Sequence, residues 1–205
     1  MGKSHKTLMN VYDLSLLFET AMTILFSGSC SPKDIRKSLR ILRRLAEQGD
    51  APAQYGLGLA YEEGHGVNQD YEEALRLYRL AGNQEFAPAQ YNLGVMYQNG
   101  QGVTQDYKEA LKWFLLAANQ GLAEAQFNLG LTYQEGHVVN QDYEEALKWF
   151  LLAANQGHAE AQIALSTIYE KGNGVVQDYK EPSSDLYWQF TNWNMLQLKS
   201  LLNNV

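Results

Sequence analysis

Histidine and carboxylate side chains stand close together at two glycine turns of this sequence, and both residue types can ligate a metal ion. Glu63 precedes His65, and Glu135 precedes His137 at the same spacing. A metal centre needs three or four ligands at one point, whereas these two pairs are 72 residues apart in the sequence. His158 lies at a further turn. We therefore predict no metal ion and no cofactor.

Nucleophilic catalysis and phosphate binding also lack their usual motifs. Cys30 is the one cysteine, which excludes an intrachain disulfide and a cluster of cysteine ligands. The sequence contains no Gly-x-Ser-x-Gly, and the glycines around Gly66 lack the lysine of a phosphate-binding loop. We predict that the protein is not an enzyme.

The net charge of −7 is divided unevenly along the chain. Residues 1–50 contain eight Lys/Arg and five Asp/Glu, giving +3, and residues 51–205 contain eight and eighteen, giving −10. Binding to a phosphate backbone needs a clustered basic face. We therefore predict no nucleic-acid partner.

One basic run stands out within the first fifty residues. On a helix, most of its members fall near one side. The run is either a solvated helix face or a site for a partner or an anionic surface. It consists of Arg36, Lys37, Arg40, Arg43 and Arg44.

The dominant pattern is a block of 36 residues that repeats without insertion or deletion. The block that begins Ala-Pro-Ala-Gln-Tyr at Ala51 returns at Ala87, and related copies begin at Ala123 and Ala159. Units of this length cannot bury a hydrophobic face alone, so they stack into a solenoid with one extended surface. The pattern favours binding by a surface over chemistry in a pocket.

Each block predicts two helices joined by a glycine turn. The first helix of the second block ends at Gly100, and Gly102 keeps the turn tight. Asp106 caps the second helix, Glu109 is predicted to reach back and complete a capping box, and Gly121 ends it. The same Asp and Glu pairs are Asp70/Glu73, Asp142/Glu145 and Asp178/Glu181.

Residue size predicts how the helices pack. Small residues at fixed places allow close antiparallel packing, and the leucine and aromatic positions are predicted to fill the spaces between helices. We expect Leu93, Tyr97, Trp113 and Trp149 in this core. The small positions include Ala89, Gly94, Ala110, Ala117 and Ala118.

The amino-terminal part departs from the repeat. Residues 1–50 are predicted to form a capping region with a degenerate repeat over residues 11–49, because Asp34 lies 36 residues before Asp70. Lysines precede an apolar stretch, but Asp13 interrupts it, so we predict a cytoplasmic protein. The alternative is export, with this segment as a signal. No run reaches the ~20 apolar residues of a membrane span, so we predict no stable membrane insertion.

The carboxyl-terminal part also departs from the repeat. Regular repeats are expected over residues 51–180, and Pro182 then interrupts the last second helix. A new helix from Ser183 to Asn203 is apolar on most sides, so residues 181–205 are predicted to cap the final repeat. The alternatives are a homodimer contact or a docking helix for a partner.

The repeated residues resemble the Sel-one-like repeat, a relative of the tetratricopeptide repeat. They read Ala-x-Ala-Gln-x-x-Leu-Gly-x-x-Tyr-x-x-Gly-x-Gly-Val-x-x-Asp-Tyr-x-x-Ala-x-x-Trp. The resemblance implies an all-α fold, a right-handed α-solenoid of stacked antiparallel helix pairs. Val138 and Glu85 replace loop and helix-ending glycines, which predicts strain if those positions need positive φ.

The resemblance also implies a function. Known relatives are mostly adaptors and scaffolds, so we predict a protein that binds a protein or peptide partner without catalysis. The alternative is an exported bacterial factor that engages host or envelope proteins.

The same resemblance places the first helices on a concave side, where an extended peptide or a partner helix would lie. The competing interpretation is that these side chains only pack between neighbouring first helices. The predicted contact residues are Tyr55, Leu59, Tyr91, Asn92, Val95, Gln98, Phe127, Asn128, Leu131, Gln134 and Ile163.

Overall fold

A computed structural model describes residues 11–27, 31–136 and 138–171 of the protein, with side chains from residue 15 to residue 168. These ranges contain helices and no strand. The predicted helix from Ser183 to Asn203, the break at Pro182 and the Asp178/Glu181 pair lie outside them. The helices are α1 Val11–Phe26, α2 Pro32–Glu47, α3 Ala51–Glu63, α4 Tyr71–Gly82, α5 Ala87–Asn99, α6 Tyr107–Asn119, α7 Ala123–Glu135, α8 Tyr143–Asn155 and α9 Ala159–Lys171.

The chain divides into two compact units, residues 1–126 and residues 127–205. In the first unit each helix from α1 to α5 packs on the next one in sequence, and α1 also touches α3. In the second unit α8 packs on α9. Contacts between consecutive helices are what stacked helix pairs require.

Aspartate caps start the second helices, as the sequence predicted. The Asp106 carboxylate accepts from the Glu109 N–H at 3.0 Å. The second half of the predicted capping box is wrong, because the Asp106 N–H already donates to the Tyr97 carbonyl at 2.9 Å. Glu109 instead accepts from Lys112 at 2.6 Å. The cap thus joins the start of α6 to the end of α5. Asp70 and Asp142 cap α4 and α8 in the same way.

The glycine turns have the expected backbone. Gly100 ends α5 in the left-handed conformation, at φ 69°. Glu85 has φ 62°, as its place among helix-ending glycines predicted. It is the one non-glycine residue with positive φ in the described ranges, so the strain predicted at Val138 is wrong. The preceding helix is followed by left-handed Gly136, φ 71°, and Val138 itself has no positive φ, unlike Gly102 at the equivalent position, φ 66°.

Small residues bring the paired helices together. A Cβ atom added to Gly94 would lie 2.5 Å from the Phe114 ring, and one added to Gly58 would lie 2.6 Å from the Tyr78 ring. Gly130 stands in the same relation to Phe150. Helices α4, α6 and α8 therefore each press an aromatic ring into a glycine notch of the first helix of the same repeat.

The predicted core is confirmed at Leu93, which is fully buried. In α6 the deepest aromatic residue is Phe114, at 2% exposure, whereas Trp113 is half-buried. Tyr97 of α5 is half-buried too. Trp149 is half-buried in α8 as well. The second-helix aromatic that fills the core is thus the residue after the tryptophan, because it is the one that faces the glycine notch.

Three buried glutamines, Gln54, Gln90 and Gln126, connect successive repeats by donating to a carbonyl at the end of the preceding helix. The Gln90 amide donates to the Gly82 carbonyl at 3.0 Å, and its oxygen accepts from Gln120 at 2.7 Å. Gln54 does the same with Ala46 and Gln84, at 3.2 and 2.8 Å. Such carbonyls at a helix end have no partner within their own helix. The Gly82 and Ala46 carbonyls each accept one bond from the following turn, at 3.1 and 3.0 Å, and the glutamine of the Ala-x-Ala-Gln motif adds a second.

The first helix pair follows the repeat with one shift. Counting back 36 residues from Asp70 gives Asp34, but α2 starts earlier, with Ser31 as its N-cap. The Ser31 hydroxyl accepts from the Asp34 N–H at 3.2 Å and donates to the Asp34 carboxylate at 2.6 Å. A serine followed by Pro32 is a favourable helix start, so local capping decides where α2 begins.

Candidate partner-binding surface

The predicted contact residues fall on four first helices, α3, α5, α7 and α9. In the first unit α3 and α5 carry six of them, which we call the α3–α5 face. Five of the six are half-buried, and Gln98 is exposed. They are Tyr55, Leu59, Tyr91, Asn92, Val95 and Gln98.

The second unit holds the remaining predicted residues. Those on α7 are half-buried, whereas Ile163 on α9 is 67% exposed. Among the equivalent positions Tyr55, Tyr91, Phe127 and Ile163, only Ile163 is therefore exposed. The α7 residues are Phe127, Asn128, Leu131 and Gln134.

Tyr55 joins three elements of the first unit. Its ring lies 5.6 Å from the Tyr78 ring of α4 and 5.4 Å from the Phe86 ring that precedes α5. Burial raises the pKa of the Tyr55 hydroxyl, and the Glu62 and Glu63 carboxylates raise it further. The hydroxyl therefore stays protonated and can donate a hydrogen bond.

A buried hydroxyl organises the polar part of the α3–α5 face. Tyr78 is fully buried, and its hydroxyl donates to the Glu62 carboxylate of α3. The Asn92 side chain of α5 hydrogen-bonds to the same hydroxyl. Burial raises the pKa of Tyr78 far above its usual value, followed by the effect of Glu62. Asn92 and Glu62 are therefore held in fixed orientations by a group beneath them.

The aromatic residue of each first helix rests on the core aromatic of its own repeat. Tyr91 lies 5.9 Å from Phe114, ring centre to ring centre, and Phe127 lies 5.7 Å from Phe150. Phe127 also stacks on His158 at 4.8 Å. These rings therefore have a packing role, and their half-buried state leaves part of each ring accessible.

Exposed leucines on the second helices form a feature that the sequence interpretation missed. Leu80, Leu116 and Leu152 are 41%, 48% and 47% exposed, at 36-residue spacing. The expectation that leucine positions fill the spaces between helices is wrong for these three. The period shows that they are equivalent, but the direction in which they point depends on how the helices pack.

The histidines take part in local contacts. His65 lies 2.9 Å from the Glu63 carboxylate, and His158 lies 3.4 Å from that of Glu160. Nowhere in the described ranges do three His, Cys, Asp or Glu side chains gather as metal ligands. His137 lies outside the description. Among the helices that are described, none has the length and apolar character to cross a bilayer.

The Sel1 repeat family model matches residues 17–50, 51–86, 87–122, 123–158 and 159–181. The solved structure of a Sel1 repeat protein from Oxalobacter formigenes is 31% identical, with TM-score 0.75, over 91% of this chain and 73% of that chain. A protective antigen of uropathogenic Escherichia coli strains with an SLR fold is 41% identical, with TM-score 0.73, over 79% of this chain.

This chain covers 34% of the E. coli antigen, so it spans about a third of that protein's length. Cysteine rich protein B of Helicobacter pylori is 21% identical, with TM-score 0.51, over 65% of this chain and 96% of that chain, which shows the fold alone. No curated protein sequence matches the chain.

These similarities establish the all-α solenoid class that the sequence predicted. Sel1 repeat proteins are generally scaffolds for protein interactions, and the family is typically non-catalytic. With five matched repeats and solved relatives of the same repeat fold, the chain belongs to the Sel1 repeat family.

Proposed function

We propose that the protein is a non-catalytic scaffold that binds an extended peptide or a partner helix on the exposed sides of its first helices. The observation that carries the proposal is the packing and partial burial of the Tyr55 and Tyr91 rings. Each ring is held against a buried aromatic ring, at 5.6 and 5.9 Å, and each remains half-buried. A ring that is already fixed loses little conformational entropy when a ligand covers it.

The residues around these rings define the ligand that fits. Leu59 and Val95 add half-buried apolar surface, and the exposed amide of Gln98 can pair with a ligand backbone. Glu62 and Glu63 border the apolar residues with negative charge. A segment with apolar anchors and flanking basic residues is therefore the expected ligand of the α3–α5 face.

The second unit offers the same residue types on its own helices. Phe127 is fixed by Phe150, and Asn128, Leu131 and Gln134 lie along α7 beside it. Together with exposed Ile163 on α9, these residues are proposed as partner contacts within that unit.

Binding to a labelled partner, captured by affinity purification and identified by mass spectrometry, tests the α3–α5 face. Tyr91→Ala is expected to weaken binding at least about tenfold, the size of a hot-spot loss. Leu116→Ala is the matched control, because Leu116 is exposed on a second helix, and it should leave affinity unchanged.

Because Tyr91 also packs on Phe114, a second variant separates binding from folding. Gln98→Lys changes an exposed side chain and adds positive charge to a face proposed to bind a basic segment. It should weaken binding while the circular dichroism spectrum and Tm stay those of the wild type. Unchanged affinity in both folded variants would show that the α3–α5 face is not the binding surface.

A second candidate is an exported bacterial factor that engages host or envelope proteins. The similarity to a protective antigen of uropathogenic E. coli favours it, although this chain spans only part of that antigen. We propose a cytoplasmic location first. Amino-terminal sequencing of the mature protein distinguishes the two, because export through a cleaved signal predicts a mature chain that starts after residue 30.

A further inference from the structure

Helix α2 breaks the charge pattern that the other second helices share. In α4 the Glu73 carboxylate accepts two bonds from Arg76, each 2.7 Å long. The positions 36 residues earlier are Lys37 and Arg40, so the acid of the pair is replaced by a base. The equivalent pairs in α6 and α8 are Glu109–Lys112 at 2.6 Å and Glu145–Lys148 at 2.8 Å.

The replacement leaves a row of cations without partners. Arg36, Arg40, Arg43 and Arg44 are all exposed. Within the described residues, the structure assigns none of them an ion pair or a hydrogen bond. From Arg36 to Arg44 the row extends about 12 Å along one helix, given a rise of about 1.5 Å per residue. Like charges at this spacing repel each other, and of the four only Arg44, in the last turn of α2, is favourably placed against the helix dipole.

The row lines a cleft of about 450 Å³ between α2 and the turn at Gly66. Leu39 and Glu47 complete its wall. A second cleft, of about 420 Å³, shares Arg43 and Glu47 with the first and continues to Leu80. The two clefts therefore form one continuous surface, which we call the α2 surface. It has a basic end at the arginines of α2 and a mixed end, where Leu80 lies with the Glu73–Arg76 ion pair.

We propose that the α2 surface binds an acidic peptide segment of a partner protein, with carboxylates on the arginines and an apolar side chain beside Leu80. Guanidinium groups match carboxylates in charge and in bidentate geometry. Leu80 is 41% exposed and lines the cleft, so it provides an apolar contact that a purely anionic ligand would not use.

The negative charges around the α2 surface favour a short acidic peptide over a nucleic acid or an anionic bilayer. Glu47 lies inside both clefts, and residues 51–126 of the same unit carry nine Asp/Glu and four Lys/Arg, giving −5. A nucleic acid or an anionic bilayer extends far beyond a 12 Å row, about the length given by the helix rise, and would meet this negative charge. A short acidic segment ends within the row and avoids it.

The α2 surface shares no residue with the α3–α5 face, so the two proposals stand independently. Tyr91→Ala should leave binding at the α2 surface unchanged. Failure of one proposal therefore leaves the other intact.

The test is fluorescence anisotropy with the full chain and a labelled peptide that has glutamates in one half and leucine and phenylalanine in the other. Arg36→Glu/Arg40→Glu should weaken binding at least about tenfold. Lys112→Glu is the matched control, because Lys112 occupies the position of Arg40 two repeats later. It should change affinity less than about twofold.

One change to the peptide and one further change to the protein complete the test. Replacing the glutamates of the peptide by glutamine should abolish binding, and Leu80→Ser, which removes the apolar contact without adding a charge, should weaken it. Binding that survives the double charge reversal, or no detectable binding of the acidic peptide at low salt, overturns the proposal. The proposal is also overturned if a short RNA or phosphatidylserine vesicles bind more tightly than the acidic peptide and lose that binding in Arg36→Glu/Arg40→Glu.

Thermal unfolding of each variant checks that it still folds. The replaced arginines are exposed and unpaired in the described structure, so Tm should not fall. Arg40→Gln/Arg43→Gln gives a second, neutral pair that should weaken binding in the same direction. A loss of affinity in the first pair alone would contradict the proposed carboxylate contacts.

Discussion

The two sides of helix α5 differ in how closely they follow the repeat. On the buried side, Gln90, Leu93 and Gly94 have the same residue type 36 positions earlier and later. On the accessible side, the Tyr91 position holds Tyr, Tyr, Phe and Ile in successive copies. Packing between helices thus demands one residue type at these three positions, whereas the buried Met96 position holds Ala, Met, Thr and Ile in successive copies. The accessible side is free to vary, and a partner would contact that side.

The largest expected effect is on the buried side. Leu93 has no exposed surface, so Leu93→Ala should lower the free energy of unfolding by about 2–5 kcal/mol through lost burial and a cavity. Urea denaturation followed by circular dichroism measures it. Ile163→Ala, at a side chain that is 67% exposed, should cost less than about 0.5 kcal/mol. Equal losses would erase the distinction between the two sides.

The next effect concerns the buried glutamine. Gln90→Ala removes the donor to the Gly82 carbonyl and the acceptor of Gln120, which should cost about 1–3 kcal/mol. Gln98→Ala changes an exposed glutamine of the same helix and should be close to neutral in the same denaturation experiment. A neutral Gln90→Ala would mean that the motif glutamine does not couple successive repeats.

A smaller effect is expected at the cap of α6. Asp106→Ala should lower stability by about 1 kcal/mol, because the Lys108 and Glu109 N–H groups lose their acceptor. Asp106→Asn keeps an acceptor oxygen and should cost only a few tenths. Thermal unfolding of both variants measures the difference, and equal Tm values would show that the cap does not act through this carboxylate.

The smallest effect should have the opposite sign. Glu85→Gly should raise stability by about 0.5–1 kcal/mol, because a left-handed backbone is unfavourable for a residue with a Cβ atom. Gly121→Ala, at the equivalent position with φ 93°, should lower stability by a similar amount. Destabilisation by Glu85→Gly would imply that the glutamate side chain contributes to the fold.

Local features of the fold could be predicted because they depend on residues three or four apart. The Asp106 cap and the Gly100 turn are of this kind. The start of α2 could not be obtained by counting, since Ser31 and Pro32 form a cap three residues before the position that Asp70 indicates. Local capping chemistry decided that boundary against the period.

Other features depend on contacts that the sequence does not show. The Gln90 bridge joins residues 8 and 30 positions apart in the chain. The exposure of Leu80 and the orientation of Asn92 by the Tyr78 hydroxyl depend on which side of a helix meets its neighbour. The repeat shows that positions are equivalent, whereas helix packing decides whether they are buried.

The proposed binding residues also combine features that the sequence showed with features that only the structure shows. The period identified Tyr55 and Tyr91 as equivalent, and the structure adds that both rings rest on buried aromatic rings. The arginines of α2, which make no ion pair among the residues that the structure describes, were visible as a basic run. Only the ion pairs of α4, α6 and α8 reveal that their acidic partners are missing.

Site-specific photo-crosslinking tests the central claim most directly. A benzophenone side chain placed at Gln98, on the α3–α5 face, should crosslink to the captured partner, whereas one at Leu116, on a second helix, should not. Both positions are exposed, so accessibility alone cannot produce the difference. Crosslinking at Leu116 with none at Gln98 would contradict the claim that the first helices bind the partner.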